Sequence, residues 1–167
     1  DTGDHYDTIL TLDKNGEVLR NYRKSHLWGE GEKANWTFSY VDHPQKAYRP
    51  FEINGINVGL LNCYEAEFPE LYRIYALKGT QVIIAPTAAD VGTVDEKGEF
   101  SSSWTYPDIS KTAIPGNAYS NKIFTVYANH AMRQFRSNGS LSGIYLGNSV
   151  IADPYGELLV HANNMPT

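Results

Sequence analysis

Ile56-Asn57-Val58-Gly59-Leu60-Leu61-Asn62-Cys63-Tyr64-Glu65-Ala66-Glu67-Phe68-Pro69-Glu70 is the stretch that decides the fold. Residues 56–62 form an apolar run of strand length. The chain then turns polar and reaches Pro69, a residue favoured in the first turn of a helix. Leu71, Ile74, Tyr75 and Lys78 follow at helical spacing, which predicts a helix over 69–78 with Gly79 as its stop. Residues 81–85 read as a buried strand ended by Pro86. Strand, elbow, helix and strand make a βαβ unit, so the two strands should be parallel neighbours. Cys63, the only cysteine, sits at the elbow. A thiol there is exposed at the sheet edge, near backbone N–H groups that favour negative charge. The thiolate is the nucleophilic form. A lone cysteine can equally be a small buried apolar residue.

Outward from this unit, residues 6–12 alternate and are rich in β formers. Asp13-Lys14-Asn15-Gly16 signals a turn, and 17–22 return as a strand, delivering Arg23 and Lys24 at the hairpin end. Residues 25–45 read as loop with a short helical turn. Phe51-Glu52-Ile53 and 56–61 form a second hairpin across Asn54-Gly55. Residues 87–106 and 132–142 are polar and read as long loops, the places where a pocket takes its specificity. Residues 107–121 start helical, and Pro115-Gly116 should break the helix. Strands are expected at 123–128 and 145–152, with Asp153-Pro154-Tyr155-Gly156 turning the latter into a returning strand at 157–161. Glu70 and Arg73, one turn apart, suggest an ion pair.

The chain has 167 residues, 41% hydrophobic and 20% charged, with a net charge of −5. That is the composition of a globular protein of one domain, and the order of its elements makes the domain α/β. The acidic balance argues against nucleic acid and anionic membrane surfaces as partners, and no apolar run approaches the ~20 residues of a membrane span. A single cysteine excludes an internal disulfide and a Cys-rich zinc site, and fits a reducing, cytoplasmic compartment. The five histidines are scattered without paired ligand spacing, and no phosphate-cradling loop is present, so neither a metal nor a cofactor is expected. The chain opens at Asp1 and enters a strand almost at once, which predicts further sequence upstream.

Several segments belong together. Tyr22-Arg23-Lys24-Ser25-His26-Leu27 precedes Gly29-Glu30-Gly31-Glu32. The Cys63 stretch follows, then Ala85-Pro86-Thr87-Ala88, Tyr127-Ala128-Asn129-His130 and the run from Asn148 through Asp153-Pro154-Tyr155-Gly156-Glu157. In this order they resemble the nitrilase, or carbon–nitrogen hydrolase, superfamily over nearly the whole chain. The resemblance implies a four-layer α-β-β-α sandwich, of which residues 1–167 supply the C-terminal portion of a single domain. It also implies a Glu-Lys-Cys triad. Lys24 matches the family lysine, Cys63 the nucleophile, and Glu32 a second glutamate kept near the lysine. The first glutamate, the general base, falls upstream of Asp1, in this chain's missing part or in a companion N-terminal fragment. One departure stands out. Where relatives carry Arg-Ala-x-Glu-Asn, this chain retains only Ala118 and Asn121.

The residue types suit cysteine-dependent hydrolysis of a linear non-peptide C–N bond. The thiolate attacks a carbonyl or nitrile carbon, giving a thioester or thioimidate. Lys24 and the backbone N–H of Tyr64 stabilise the developing oxyanion. A small carboxamide is the expected substrate and a nitrile the rival. Tyr64, Trp104, Tyr106 and Tyr145 are candidate pocket aromatics. Homo-oligomers are also implied, with Tyr72 and Tyr75 on the helix after Cys63 as interface candidates. Two other readings remain open at this point: a non-catalytic binding module lacking the triad glutamate, and a Cys-His hydrolase using His26, His130 or His161.

Overall fold

The computed structural model describes residues 3–39, 48–102 and 108–162. The expected βαβ unit is present. Strand β4 (Ile56–Leu60) runs into a 3-10 turn at Cys63–Glu67 and helix α2 (Pro69–Leu77), and the chain returns as β5 (Val82–Thr87). β4 and β5 pair in parallel, with Leu60 opposite Ile84. β3 (Phe51–Ile53) adds antiparallel to β4. The tight turn between them puts Asn54 and Gly55 at φ 51° and 80°, the left-handed pair that suits an Asn-Gly hairpin. β8 (Phe124–Asn129) lies parallel to β5 on its other side, and β11 (Val150–Ala152) and β12 (Leu158–His161) complete a six-stranded sheet. Its order is β12-β11-β8-β5-β4-β3.

Alternation along these strands builds the core. Ile83 and Ala85 on β5, Tyr127 on β8, and Val150 and Ala152 on β11 turn one face of the sheet toward the helices. There they meet Leu71, Tyr72 and Tyr75 of α2, and Ile114 and Ala118 of α3 (Ala113–Asn121). Tyr72 and Tyr75 are fully buried in the chain's own core, so they are not available to an oligomer interface. The Tyr75 hydroxyl donates to the Leu60 carbonyl at 2.8 Å and accepts the Leu60 N–H at 3.2 Å. It thereby holds the end of β4 against α2, where the short strand β3 no longer reaches.

The first hairpin, β1 (Thr8–Leu12) with β2 (Val18–Arg23), forms its own two-stranded sheet and leads into a short helix α1 (Gly29–Asn35). Other segments depart from the sequence expectation. The described part of the first long polar stretch, residues 87–102, and the second, residues 132–142, carry strands where loops were expected. β6 (Asp90–Val94), β7 (Phe100–Ser102), β9 (Ala131–Phe135) and β10 (Leu141–Leu146) form a four-stranded sheet in the order β7-β6-β10-β9. Every residue of β9 is exposed, so no apolar alternation marked it. Residues 145–152 are not one strand either, because β10 and β11 belong to different sheets.

β5 continues through Pro86. Leu61 N–H donates to the Ile84 carbonyl on the β4 side, and the period of two turns Pro86 to that same side. β4 has ended there, so the missing N–H costs no ladder bond. Pro115 does not break α3 because the helix begins only at Ala113. The ring falls in the first turn, where N–H groups have no intrahelical partner. Arg73 reaches across to donate to the Ser120 carbonyl on α3 at 2.9 Å, in place of the expected pair with Glu70.

Candidate active site

The site begins at the elbow. β4 ends at Leu60, and Cys63 takes φ 54°, a left-handed conformation that side chains rarely adopt. The reversal presents the thiol, partly exposed, at the edge of a cavity of about 530 Å³. Asn62 and Cys63 form one part of its lining. Asp7, Thr8 and Ile9, from β1 and the residue before it, form a second part together with Trp28 and Glu32, and residues 86–90 form the opposite wall. Such strain costs on the order of 1–2 kcal/mol.

Lys24 follows β2 and is buried to 1% exposure. Its ammonium donates to both carboxylate oxygens of Glu32 on α1, at 2.8 and 2.7 Å, and lies 3.4 Å from Asp7 Oδ2. Burial opposes its charge. The Glu32 hydrogen bonds and the negative charge offered by Cys63, Glu32 and Asp7 outweigh that penalty and hold the lysine above its ordinary value. Asp7 links the ammonium to the elbow, because its other carboxylate oxygen accepts from Asn62 Nδ2, one residue before Cys63. Glu32 and Cys63 both line the cavity; Lys24 is not part of its wall and stands behind it, held by Glu32. Tyr64 stands in the first turn after Cys63, with its ring edge-on to Phe68 at 4.8 Å and not in the cavity wall.

Two residues were missed from sequence. Asp7 accepts from Asn62 Nδ2 at 2.9 Å while facing Lys24, and its carbonyl accepts the Lys24 N–H. Glu65 is wholly buried. Its Oε1 accepts from Ser25 N–H at 2.8 Å, Ser25 Oγ at 2.7 Å and His26 N–H at 3.2 Å. Its Oε2 accepts from Tyr22 Oη at 2.6 Å and Asn62 N–H at 2.9 Å. Burial pushes its carboxyl up, but donors from His26, Tyr22, Ser25 and Asn62 outweigh that and hold it below the usual range. The signal available in sequence was Asn62-x-x-Glu65, the spacing of a helix-capping pair.

The three candidate histidines stand away from the cavity. His26 Nδ1 contacts Ser25 Oγ at 2.9 Å and Tyr48 Oη at 3.2 Å. His130 packs edge-on against Tyr145 at 4.1 Å, and His161 lies exposed on β12. None lines the cavity, which removes the structural basis for a Cys-His pair. Of the candidate pocket aromatics, Tyr145 instead hydrogen-bonds Gln134, while Trp104 and Tyr106 lie outside the described residues. Residues 87–90 do line the cavity; residues 132–142 do not. Asn129 braces that wall, accepting from Ala89 N–H at 2.9 Å and donating to the Gly147 carbonyl at 2.8 Å. Among the described residues there is no cluster of three or more His, Cys, Asp or Glu side chains that could hold a metal ion, and no helix long and apolar enough to cross a membrane.

Comparison with known proteins finds amidases. The amidase of Nesterenkonia sp. AN1, in a structure with the acetamide moiety of fluoroacetamide added covalently to its active-site cysteine, superposes with a TM-score of 0.72 at 30% identity. The match covers 96% of this chain and 52% of that one. N-carbamoylputrescine amidase from Oryza sativa is 28% identical over 163 residues, 96% of this chain and 51% of the relative. The omega-amidase of Homo sapiens is 28% identical over 164 residues, 97% of this chain and 53% of the relative. The chain thus spans about half the length of the curated relatives it matches. The carbon-nitrogen hydrolase family model matches residues 1–167, and the chain belongs to that family, with the α/β fold of the nitrilase-superfamily amidases.

Proposed function

We propose that the protein is a cysteine-dependent amidase that hydrolyses a small linear carboxamide to the acid and ammonia through a thioester on Cys63. The observation that carries this reading is the Lys24 ammonium, buried, fixed by Glu32 and joined through Asp7 to Asn62, the residue before the cysteine that lines the cavity.

In the acylation step the Cys63 sulfur attacks the amide carbon and its proton passes to a carboxylate base. The resemblance assigns that base to a glutamate preceding Asp1, since Glu32 and Asp7 both face Lys24. The oxyanion meets the Lys24 ammonium and the Tyr64 N–H. Collapse of the tetrahedral intermediate breaks the C–N bond, the base returns the proton to nitrogen, and ammonia leaves. Water, deprotonated by the same base, then attacks the thioester, releasing the acid and the thiol. Lys24 stays protonated throughout, as its raised pKa requires.

Amide relatives support the substrate class. Assembly into homo-oligomers belongs to the same proposal and is read by light scattering of the intact protein. The test of the chemistry is ammonia release from acetamide, butyramide and the matching nitriles. Cys63→Ala and Lys24→Ala should each abolish release, while His26→Ala, His130→Ala and His161→Ala should retain it. Full activity of Cys63→Ala would overturn the proposal.

A further inference from the structure

Resting on the amidase reading, we propose that Glu65 is a positioning residue that sets the Lys24 segment against the Cys63 elbow. Five donors converge on its carboxylate from two parts of the chain about 40 residues apart. Tyr22 Oη, Ser25 N–H, Ser25 Oγ and His26 N–H flank Lys24, whereas Asn62 N–H directly precedes Cys63. The side chain is wholly buried and does not line the cavity, so it acts on the reaction through its neighbours and not through the substrate.

The chemistry demands an anion there. A carboxylate offers two acceptor oxygens with about four lone-pair sites and no donor, so none of the converging N–H and O–H groups meets another donor. A glutamine would turn an NH₂ group toward N–H and O–H groups, and a protonated acid would place one more proton among them. Burying a charge is tolerated only when it is satisfied in this way. Glu32 cannot replace this link, because it grips Lys24 from α1 without touching the elbow. Asp7 is a second tie, joining Lys24 to Asn62, but it leaves the backbone of residues 25 and 26 without an acceptor. Without Glu65, the Asp7 side chain alone joins Lys24 to the elbow, and the two can shift by the ångström or so that an oxyanion contact does not tolerate.

The test uses the intact protein with Glu65→Gln, Ser25→Ala and Tyr22→Phe, assayed well below their melting temperatures. Glu65→Gln should lower kcat by about 10²-fold with KM little changed, and should slow alkylation of Cys63 by iodoacetamide at fixed pH. Ser25→Ala and Tyr22→Phe each remove one donor and should lower kcat by a smaller factor in the same sense. If Glu65→Gln does not fold, these two milder variants decide the matter. Folded variants with parental kcat and alkylation rate, or with a change in KM alone, would overturn the positioning role. Loss of activity in Cys63→Ala alongside parental behaviour of these variants would sink this inference only. Activity that survives Cys63→Ala would sink the amidase mechanism itself.

Discussion

Both carboxylate oxygens of Glu32 lie within 2.8 Å of the Lys24 ammonium. A buried cation is thereby aimed as well as neutralised. Glu32→Gln should reduce ammonia release by about 10²-fold, comparable to the loss of one oxyanion donor. It should destabilise the fold by on the order of 1–3 kcal/mol, the cost of leaving a buried donor short of an acceptor. The lysine's pKa is raised from the ordinary 10.5, so its stabilising contribution is complete below that value and is lost as pH climbs through the higher folded value. The stability gap between parent and variant should therefore be constant from neutral pH to about 10 and close only above it. Urea denaturation across this range is the measurement, and a gap already closed at pH 8 would contradict the pairing.

The left-handed conformation of Cys63 makes a separate prediction. Cys63→Ala and Cys63→Gly should both lack activity, yet differ in stability. Glycine adopts φ near 54° without strain, so Cys63→Gly should exceed Cys63→Ala by about 1 kcal/mol. Equal stabilities would mean the elbow carries no strain.

Packing under the elbow is tight at Gly59. A Cβ there would stand 2.7 Å from the Tyr75 ring, closer than van der Waals contact allows. Gly59→Ala should destabilise the protein by about 1–3 kcal/mol. It should also lower activity, because the displaced Tyr75 hydroxyl holds Leu60, three residues before the nucleophile. Thermal denaturation and ammonia release together check this. A neutral Gly59→Ala would show that α2 sits farther from β4.

Two carboxyls near the elbow have opposite pH signatures. Glu65 is held below the usual 4.5, so its stabilising contribution is present above pH 4.5 and lost as pH falls through the lower folded value. Burial pushes Glu67 up to about 7, and its Oε1 is buried with no hydrogen-bond partner among the described residues. Ionising it costs stability between about pH 4.5 and pH 7. Glu67→Gln should thus be more stable than the parent at pH 8 and match it at pH 4. Glu65→Gln should be less stable at pH 7, with the gap narrowing only below pH 4.5. Paired urea titrations at pH 4, 7 and 8 separate the two.

Turn chemistry shows how far a sequence can be read. The pattern Asp-x-x-Gly-Glu occurs at Asp13, Asp95 and Asp153. Each time the aspartate Oδ1 accepts the N–H groups two and four residues on. The first and third copies were legible because apolar strands flank them. The second was passed over because the strands beside it are polar, although its turn residues carried the same information. Asn138-Gly139-Ser140 likewise marked the β9–β10 turn, with Asn138 Oδ1 accepting from Ser140. Glu65 was hidden for another reason. Its partners at 22, 25 and 26 lie about 40 residues away, and the local Asn62-x-x-Glu65 spacing marks a helix cap without revealing them.

Local physics within the chain sufficed for the Cys63 elbow, the parallel βαβ unit, the Asn54-Gly55 hairpin and the family resemblance that singled out Lys24, Glu32 and Cys63. Each rests on spacing, turn residues or motif order carried by contiguous residues. The tertiary structure alone decided that Pro86 and Pro115 are harmless, that β6, β7, β9 and β10 build a second sheet, and that a buried carboxylate at 65 ties the two halves of the site together. Those outcomes depend on which neighbour stands across a ladder or supplies a donor, and chain folding, not residue order, sets that proximity.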